Sequence, residues 1–260
     1  MKTKYGSWAV ITGASDGIGR AFAYALAEAG IHVVLVARRR AVLQEIADDL
    51  TQRHQVQTRV LAADLSERSS FSVLAEQTRD LDVGLLVASA GFGTSGPFIE
   101  SDLEQELAMV DVNCTALMAL THLFGQRFAH QRRGGIVLMS SIVAFQGVPL
   151  AADYAATKAY VQTLAEGLRL ELKPFGVDVI ASAPAQVHSG FADRAAMQMG
   201  AALRPEQVAV GTLRALGRRT TVRPGFLSKF LSAALRWPRA LRVRIMKLVM
   251  SGMTAQRHAS

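Results

Sequence analysis

The stretch that most constrains the fold is residues 8 to 30, WAVITGASDGIGRAFAYALAEAG. Trp8 to Thr12 is a short apolar run and reads as a central strand. A turn follows in which Gly13, Gly17 and Gly19 are separated by small or polar residues. After it, RAFAYALAEA has helical periodicity, with Gly30 as a C-cap. Strand, glycine-rich turn and helix, in that order, make a βα unit whose turn can cradle phosphate. Glycines let the backbone approach a pyrophosphate, and helix N-terminal amides meet its charge. The expected contacts are Gly13, Ser15, Asp16, Gly17, Ile18 and Gly19. The alternative is an ordinary tight turn. Three glycines at this spacing, with both flanks right, favour a dinucleotide.

The same alternation continues down the chain. His32 to Ala37 is a second apolar run, followed by Arg38, Arg39 and Arg40. A dinucleotide fold often places a carboxylate here for the ribose diol. Three arginines suit a 2′-phosphate instead, so NADP(H) is expected, with Arg38 as the contact. A helix over about 41–54 leads to the strand TRVLAADL. Asp64 at its end is placed for the adenine amino group, with Leu65 beside it; the alternative is a helix cap, a task for which Ser66 competes. Residues 81–90 form another apolar run ended by Gly91, and a helical pattern covers about 102–130 with Asn113 at its middle. Gly134 and Gly135 open the run GGIVLMSS, a helix is expected over 153–175, and a strand over 177–183. Short apolar runs alternating with helices make an α/β chain with a doubly wound parallel sheet, whose ligands sit at the carboxyl ends of the strands.

Ser141 closes one such strand, and Tyr154 and Lys158 stand four residues apart on one helical face thirteen positions later. A phenol is a weak acid, with an ordinary pKa of about 10. A nearby ammonium favours the phenolate, and a serine hydroxyl can hold a carbonyl oxygen against the phenol. A buried amide such as Asn113 must find partners; it reads either as a structural tie or as a polar link holding a water near Lys158.

In motif order and spacing, about residues 5–195 resemble the short-chain dehydrogenase/reductase family. The carriers are TGASDGIG at 12–19, Asp64, Asn113, Ser141, Tyr154 and Lys158. The resemblance implies a Rossmann-type domain reducing a carbonyl with NADPH. It implies Tyr154 as proton donor, Ser141 as oxygen anchor, Lys158 on the tyrosine and the nicotinamide ribose, and Asn113 as support for a proton relay. It also implies cofactor contacts at Gly91, Pro184 and Val187, and a homodimer or homotetramer. Two motifs depart from the family. The usual NNAG is Ala88-Ser89-Ala90-Gly91, so the hydrogen bonds of two amides must be replaced or lost. The usual Pro-Gly is Pro184-Ala185, with Ser189 where a threonine is usual and His188 able to reach either substrate or solvent.

Charge separates the end of the chain from the rest. The net +8 arises after Glu206, where 11 Lys/Arg and no acidic residue occur. The expected division is therefore a catalytic domain over 1–205 and a basic, amphipathic helical extension over 206–260. FLSKFLSAALRW and PRALRVRIMKLVMSGM carry apolar residues at helical spacing. Three readings compete for them: a lid over a lipophilic substrate, a helix on anionic lipid, or a subunit contact. No nucleic-acid recognition module is readable, and no metal site. A single cysteine, Cys114, fits a reducing, cytoplasmic setting, and the N-terminus lacks the pattern of a signal peptide. The substrate-shaping loops are expected at 92–101, 144–153 and 186–204.

Overall fold

The computed structural model describes residues 1–190, 202–225 and 237–254. Among the described residues seven strands form one parallel sheet, β1 Trp8–Thr12, β2 His32–Ala37, β3 Thr58–Ala62, β4 Val83–Ala88, β5 Gly134–Met139, β6 Val177–Ser182 and β7 Thr221–Val222. Their order across the sheet is β3-β2-β1-β4-β5-β6-β7, which is the doubly wound arrangement the alternation implied. The apolar runs are continuous because both faces are covered: every residue of β1, β4 and β5 is buried.

Each face has its own core. On one, Phe22 and Leu26 of α2 (Gly17–Glu28) and Leu43 and Leu50 of α3 (Arg40–His54) pack with Ile11 and Leu35. On the other, Phe124 and Phe128 of α6 (Leu117–Gln131) and Val161 and Ala165 of α7 (Ala152–Leu172) pack with Val10, Leu86 and Leu138. Short helices α1 (Lys2–Tyr5) and α4 (Ser69–Glu76) complete these layers. Two elements beyond residue 205 belong to the same body. Val208 and Ala209 of α8 (Pro205–Ala215) lie in the first core, and β7 pairs with β6. The last helix among the described residues, α9, spans Arg239–Thr254. FLSKFLSAALRW falls mostly outside the described residues.

The helix expected over 102–130 is not regular. It starts as α5 (Leu103–Val110), widens into a π-helical segment over Asp111–Ala116, and continues as α6. This whole stretch, Leu103–Gln131, is apolar and long enough to cross a membrane by length and composition. In this fold one side of it packs on the sheet as a core helix. The strand expected to reach residue 90 stops at Ala88, because Ser89 and Ala90 turn their amides onto the Thr12 hydroxyl.

Candidate active site

The carboxyl ends of β1 to β6 open into one cavity of about 570 Å³. Its walls carry Gly13, Ser15, Asp16, Gly17, Ile18, Gly19, Arg38, Asp64, Leu65 and Gly91 at one end. Ser141, Tyr154, Lys158, Pro184 and Val187, also expected from sequence, line the same cavity. Asn113 does not line it; it lies just behind the wall.

The glycine loop is built for close approach. Gly13 and Gly17 have φ of +67° and +50°, the left-handed region that favours glycine. At Gly19 a β-carbon would collide with the carbonyl oxygen of Gly13 and lie 2.8 Å from Ser89 Oγ. Asp16 caps α2 by accepting from the Gly17 amide at 2.7 Å, and its other oxygen accepts from the Gly190 amide at 3.0 Å. The loop after β6 is thereby tied to the loop after β1. The missing amides of the 88–91 segment are replaced: Ser89 Oγ donates to Thr12 O, while Thr12 Oγ1 accepts from the Ser89 and Ala90 amides at 3.0 Å each.

At the far end, the Arg38 guanidinium is well exposed and 3.8 Å from Asp64. Arg39 donates to Ser15 O and Oγ at 3.0 and 3.2 Å, a contact the sequence did not suggest. Asp64 both lines the cavity and holds its own turn, accepting from Ser66 N and Oγ at 3.0 and 2.8 Å. Burial works to raise its carboxyl, but the Ser66 hydrogen bonds and Arg38 outweigh it and hold the group below its ordinary value. α4 begins only at Ser69, so Asp64 is not its cap.

Near the centre, the π-helical turn aims Asn113 across to two neighbours. Its amide nitrogen donates to Phe92 O at 2.9 Å and Thr157 Oγ1 at 3.1 Å, and its oxygen accepts from the Phe92 amide at 3.1 Å. A β-carbon on Gly91 would lie 2.7 Å from Asn113 Oδ1 and 3.3 Å from Lys158 Nζ, so these three groups meet at one point. Lys158 is buried, donates to Met139 O at 3.0 Å, and holds Nζ 5.7 Å from the Tyr154 ring centre. Burial pushes the Tyr154 phenol up to about 12, with the Ser141 hydroxyl pulling the other way. Burial also lowers Lys158 from 10.5 to about 8, opposed by the Cys114 thiol.

That lysine shift has a sign that can be tested. Folded Lys158 holds its proton less readily than unfolded lysine, so its penalty is fully present below about 8 and fades as pH rises towards 10.5. Lys158→Met is expected to stabilise the cofactor-free protein by about 2 kcal/mol at pH 7. That is about 3 for the relieved penalty less about 1 for the hydrogen bond to Met139. Urea unfolding at neutral and at high pH measures it; a gain equal at both would contradict a burial penalty.

The wall away from the glycine loop is mainly apolar and is partly formed by α9. Val148 and Ala151 come from the 144–153 loop and Phe92 from the 92–101 loop. Residues 191–201 of the third expected loop lie outside the described residues. His188 is solvent-exposed and absent from the cavity wall, and Ala185 does not adopt a left-handed backbone. Ile245, Met246, Val249 and Met250 of α9 face the cavity, and Met246 and Met250 pack in one cluster with Val148 and Tyr154. Sequence periodicity indicated the helix but not where its apolar face docks.

Known proteins resemble this chain in sequence and in fold. A family model described as short chain dehydrogenase matches residues 7–199. The 7beta-hydroxysteroid dehydrogenase of Clostridium sardiniense is 32% identical over 235 residues, covering 88% of this chain and 89% of that protein. The very-long-chain 3-oxoacyl-CoA reductase of Aspergillus terreus is 38% identical over 179 residues, 67% of this chain but 51% of that protein, so the chain spans about half its length. Among solved structures, a 7beta-hydroxysteroid dehydrogenase superposes with a TM-score of 0.87 at 27% identity, covering 94% of this chain and 98% of that one. A short-chain dehydrogenase from Sphingobium yanoikuyae in complex with NADPH gives 0.79 at 29% identity, covering 87% and 91%.

Proposed function

The chain belongs to the short-chain dehydrogenase family, and on that premise we propose that it is an NADPH-dependent reductase of a bulky, lipophilic ketone. The observation that carries this reading is the single cavity joining the glycine loop, Arg38 and the Ser141–Tyr154–Lys158 group to an apolar wall. Relatives named for hydroxysteroids and very-long-chain 3-oxoacyl thioesters support a large apolar substrate. An NADPH complex among the structural neighbours supports the cofactor.

The residues present suit a dinucleotide. The loop at 13–19 has no room for side chains at Gly19, which leaves its backbone and the start of α2 to receive the pyrophosphate. Arg38 takes the 2′-phosphate, Asp64 and Leu65 the adenine, and Lys158 the nicotinamide ribose. Gly91, Pro184 and Val187 border the nicotinamide side. When bound, the reduced nicotinamide supplies hydride to the carbonyl carbon.

The chain's own groups manage the oxygen. Tyr154 Oη gives its proton to the carbonyl oxygen while Ser141 Oγ holds that oxygen in place. A phenol pushed up to about 12 keeps its proton until the oxygen gains charge, and the buried Lys158 ammonium then favours the phenolate left behind. Asn113 is a positioning residue: it ties the Phe92 backbone to α7 beside Lys158. α9 acts as a lid, its Met246 and Met250 closing over the Tyr154 side. The enzyme works as a homo-oligomer in the cytoplasm; the exposed Leu241 and Leu248, with Arg244 and Lys247 beside them, suit transient contact with anionic lipid.

The cofactor assignment is tested at Arg38. Arg38→Leu is expected to raise the Kd for NADPH by roughly 10- to 100-fold, the scale of a hydrogen bond to a charged group, and to leave NADH nearly unchanged. Parallel fluorescence titrations with the two nucleotides measure it. An equal change for both would remove Arg38 from the 2′-phosphate.

A further inference from the structure

One charged group on the substrate wall has no role in the reaction above. Arg242 reaches the cavity from α9, in a wall otherwise built from residues such as Val148, Met246 and Met250. Its Nη1 donates to Phe145 O at 3.3 Å and Gln146 Oε1 at 3.4 Å, both neutral acceptors at the long end of hydrogen bonding. Its Nε is buried with no partner. Among the described residues no carboxylate pairs with it, and the acids on the cavity wall, Asp16 and Asp64, belong to the dinucleotide end.

A second guanidinium reinforces the charge. Arg223 lies 4.4 Å from the centre of the Phe145 ring, and its Nε is also buried and unpartnered. Two cations thus adjoin the turn Ile142–Phe145, and among the described residues no carboxylate is paired with either. Each is only partly exposed, and its buried Nε is a donor left without an acceptor, which costs free energy. With Nε closed off and Nη1 engaged, the donor of Arg242 left open is Nη2, which can give a charge-assisted hydrogen bond to a carboxylate oxygen.

The position sets a length. Met250, which packs with Tyr154, stands eight residues along α9 from Arg242. At about 1.5 Å per residue that is ~12 Å between their backbones. We infer that Arg242 anchors the carboxylate of an otherwise apolar oxo-acid, at a distance on the order of 10 Å from the carbonyl that is reduced. The inference rests on the reductase reading for the carbonyl and on Arg242 alone for the carboxylate. Its physical content is specificity: the anchor holds one end of a featureless apolar body, so that one ketone of several is delivered to Tyr154.

The test uses the full chain loaded with NADPH, and a steroid ketone bearing a side-chain carboxylate alongside its methyl ester. Equilibrium binding and steady-state turnover are both measured. The acid is expected to bind about 10- to 100-fold more tightly than the ester. Arg242→Gln removes that difference mainly through KM, Arg242→Lys keeps part of it, and Arg244→Gln, exposed on the same helix, changes neither ligand. Retained NADPH affinity shows that each variant is folded, and the acid–ester comparison in the unmutated protein needs no variant. Acid bound no more tightly than ester, or a preference that survives Arg242→Gln, overturns the anchor. Preferential binding of the acid without turnover would sink the reductase reading and leave the anchor; turnover of both ligands alike would do the reverse.

Discussion

Tyr154→Phe is expected to lower kcat for ketone reduction by about 10²- to 10⁴-fold, the usual contribution of a positioned acid. The effect should fall on kcat, with the Kd for NADPH nearly unchanged. The substitution removes one oxygen from a ring that otherwise keeps its packing against Val148, Met246 and Met250. No other described group on this wall could replace the donor. Ser141 is a far weaker acid than a phenol, and Lys158 is turned to Met139 O. Single-turnover measurements with NADPH in excess separate chemistry from binding. A variant that kept a tenth or more of the activity would show that the proton comes from elsewhere.

The second large effect is expected at Gly19. Its missing side chain is what lets the loop after β1 fold back on itself, with the Gly13 carbonyl and Ser89 Oγ filling the space. Gly19→Ala forces a backbone carbonyl to move, and overpacking of this kind costs about 1–3 kcal/mol of stability. The same movement displaces the amides that face the cavity, so NADPH affinity should fall by at least about tenfold for each 1.4 kcal/mol lost there. Thermal unfolding with and without NADPH reads both terms. A variant with unchanged Tm and unchanged NADPH-induced stabilisation would contradict the close packing of this loop.

These two sites were legible in the sequence for a simple reason. Their residues sit close together along the chain, on one turn or one helix face, so fixed spacing encodes their geometry. The alternation of apolar runs with helical patterns was equally local, and it led directly to the parallel sheet. Less could be read where the geometry depends on distant segments. The π-helical turn at Asn113 adds one residue to a helix, too small a change in period to see, yet it directs that side chain to Phe92 and Thr157. Ser89 was visible only as a departure from a motif; its bonds to Thr12, 77 residues away, show how the lost amides are compensated.

The chain's end was read by charge, and charge does not mark packing. Acidic residues stop at Glu206, but the sheet continues to Val222. The apolar stripe of α9 identified an amphipathic helix without saying what it would cover. Its docking beside Tyr154 depends on the loop at 144–151, which carries Val148 and Ala151 into the same cluster. Arg242 follows from that docking, since only tertiary packing sets it into an apolar wall.

The most direct measurement is the loss of reduced-nicotinamide absorbance with NADPH and NADH in parallel, across a panel of bulky ketones, with the alcohol product quantified beside it. The account predicts NADPH consumed in preference to NADH, with one alcohol formed for each NADPH lost. Tight NADPH binding with no alcohol formed from any bulky ketone in the panel would contradict it.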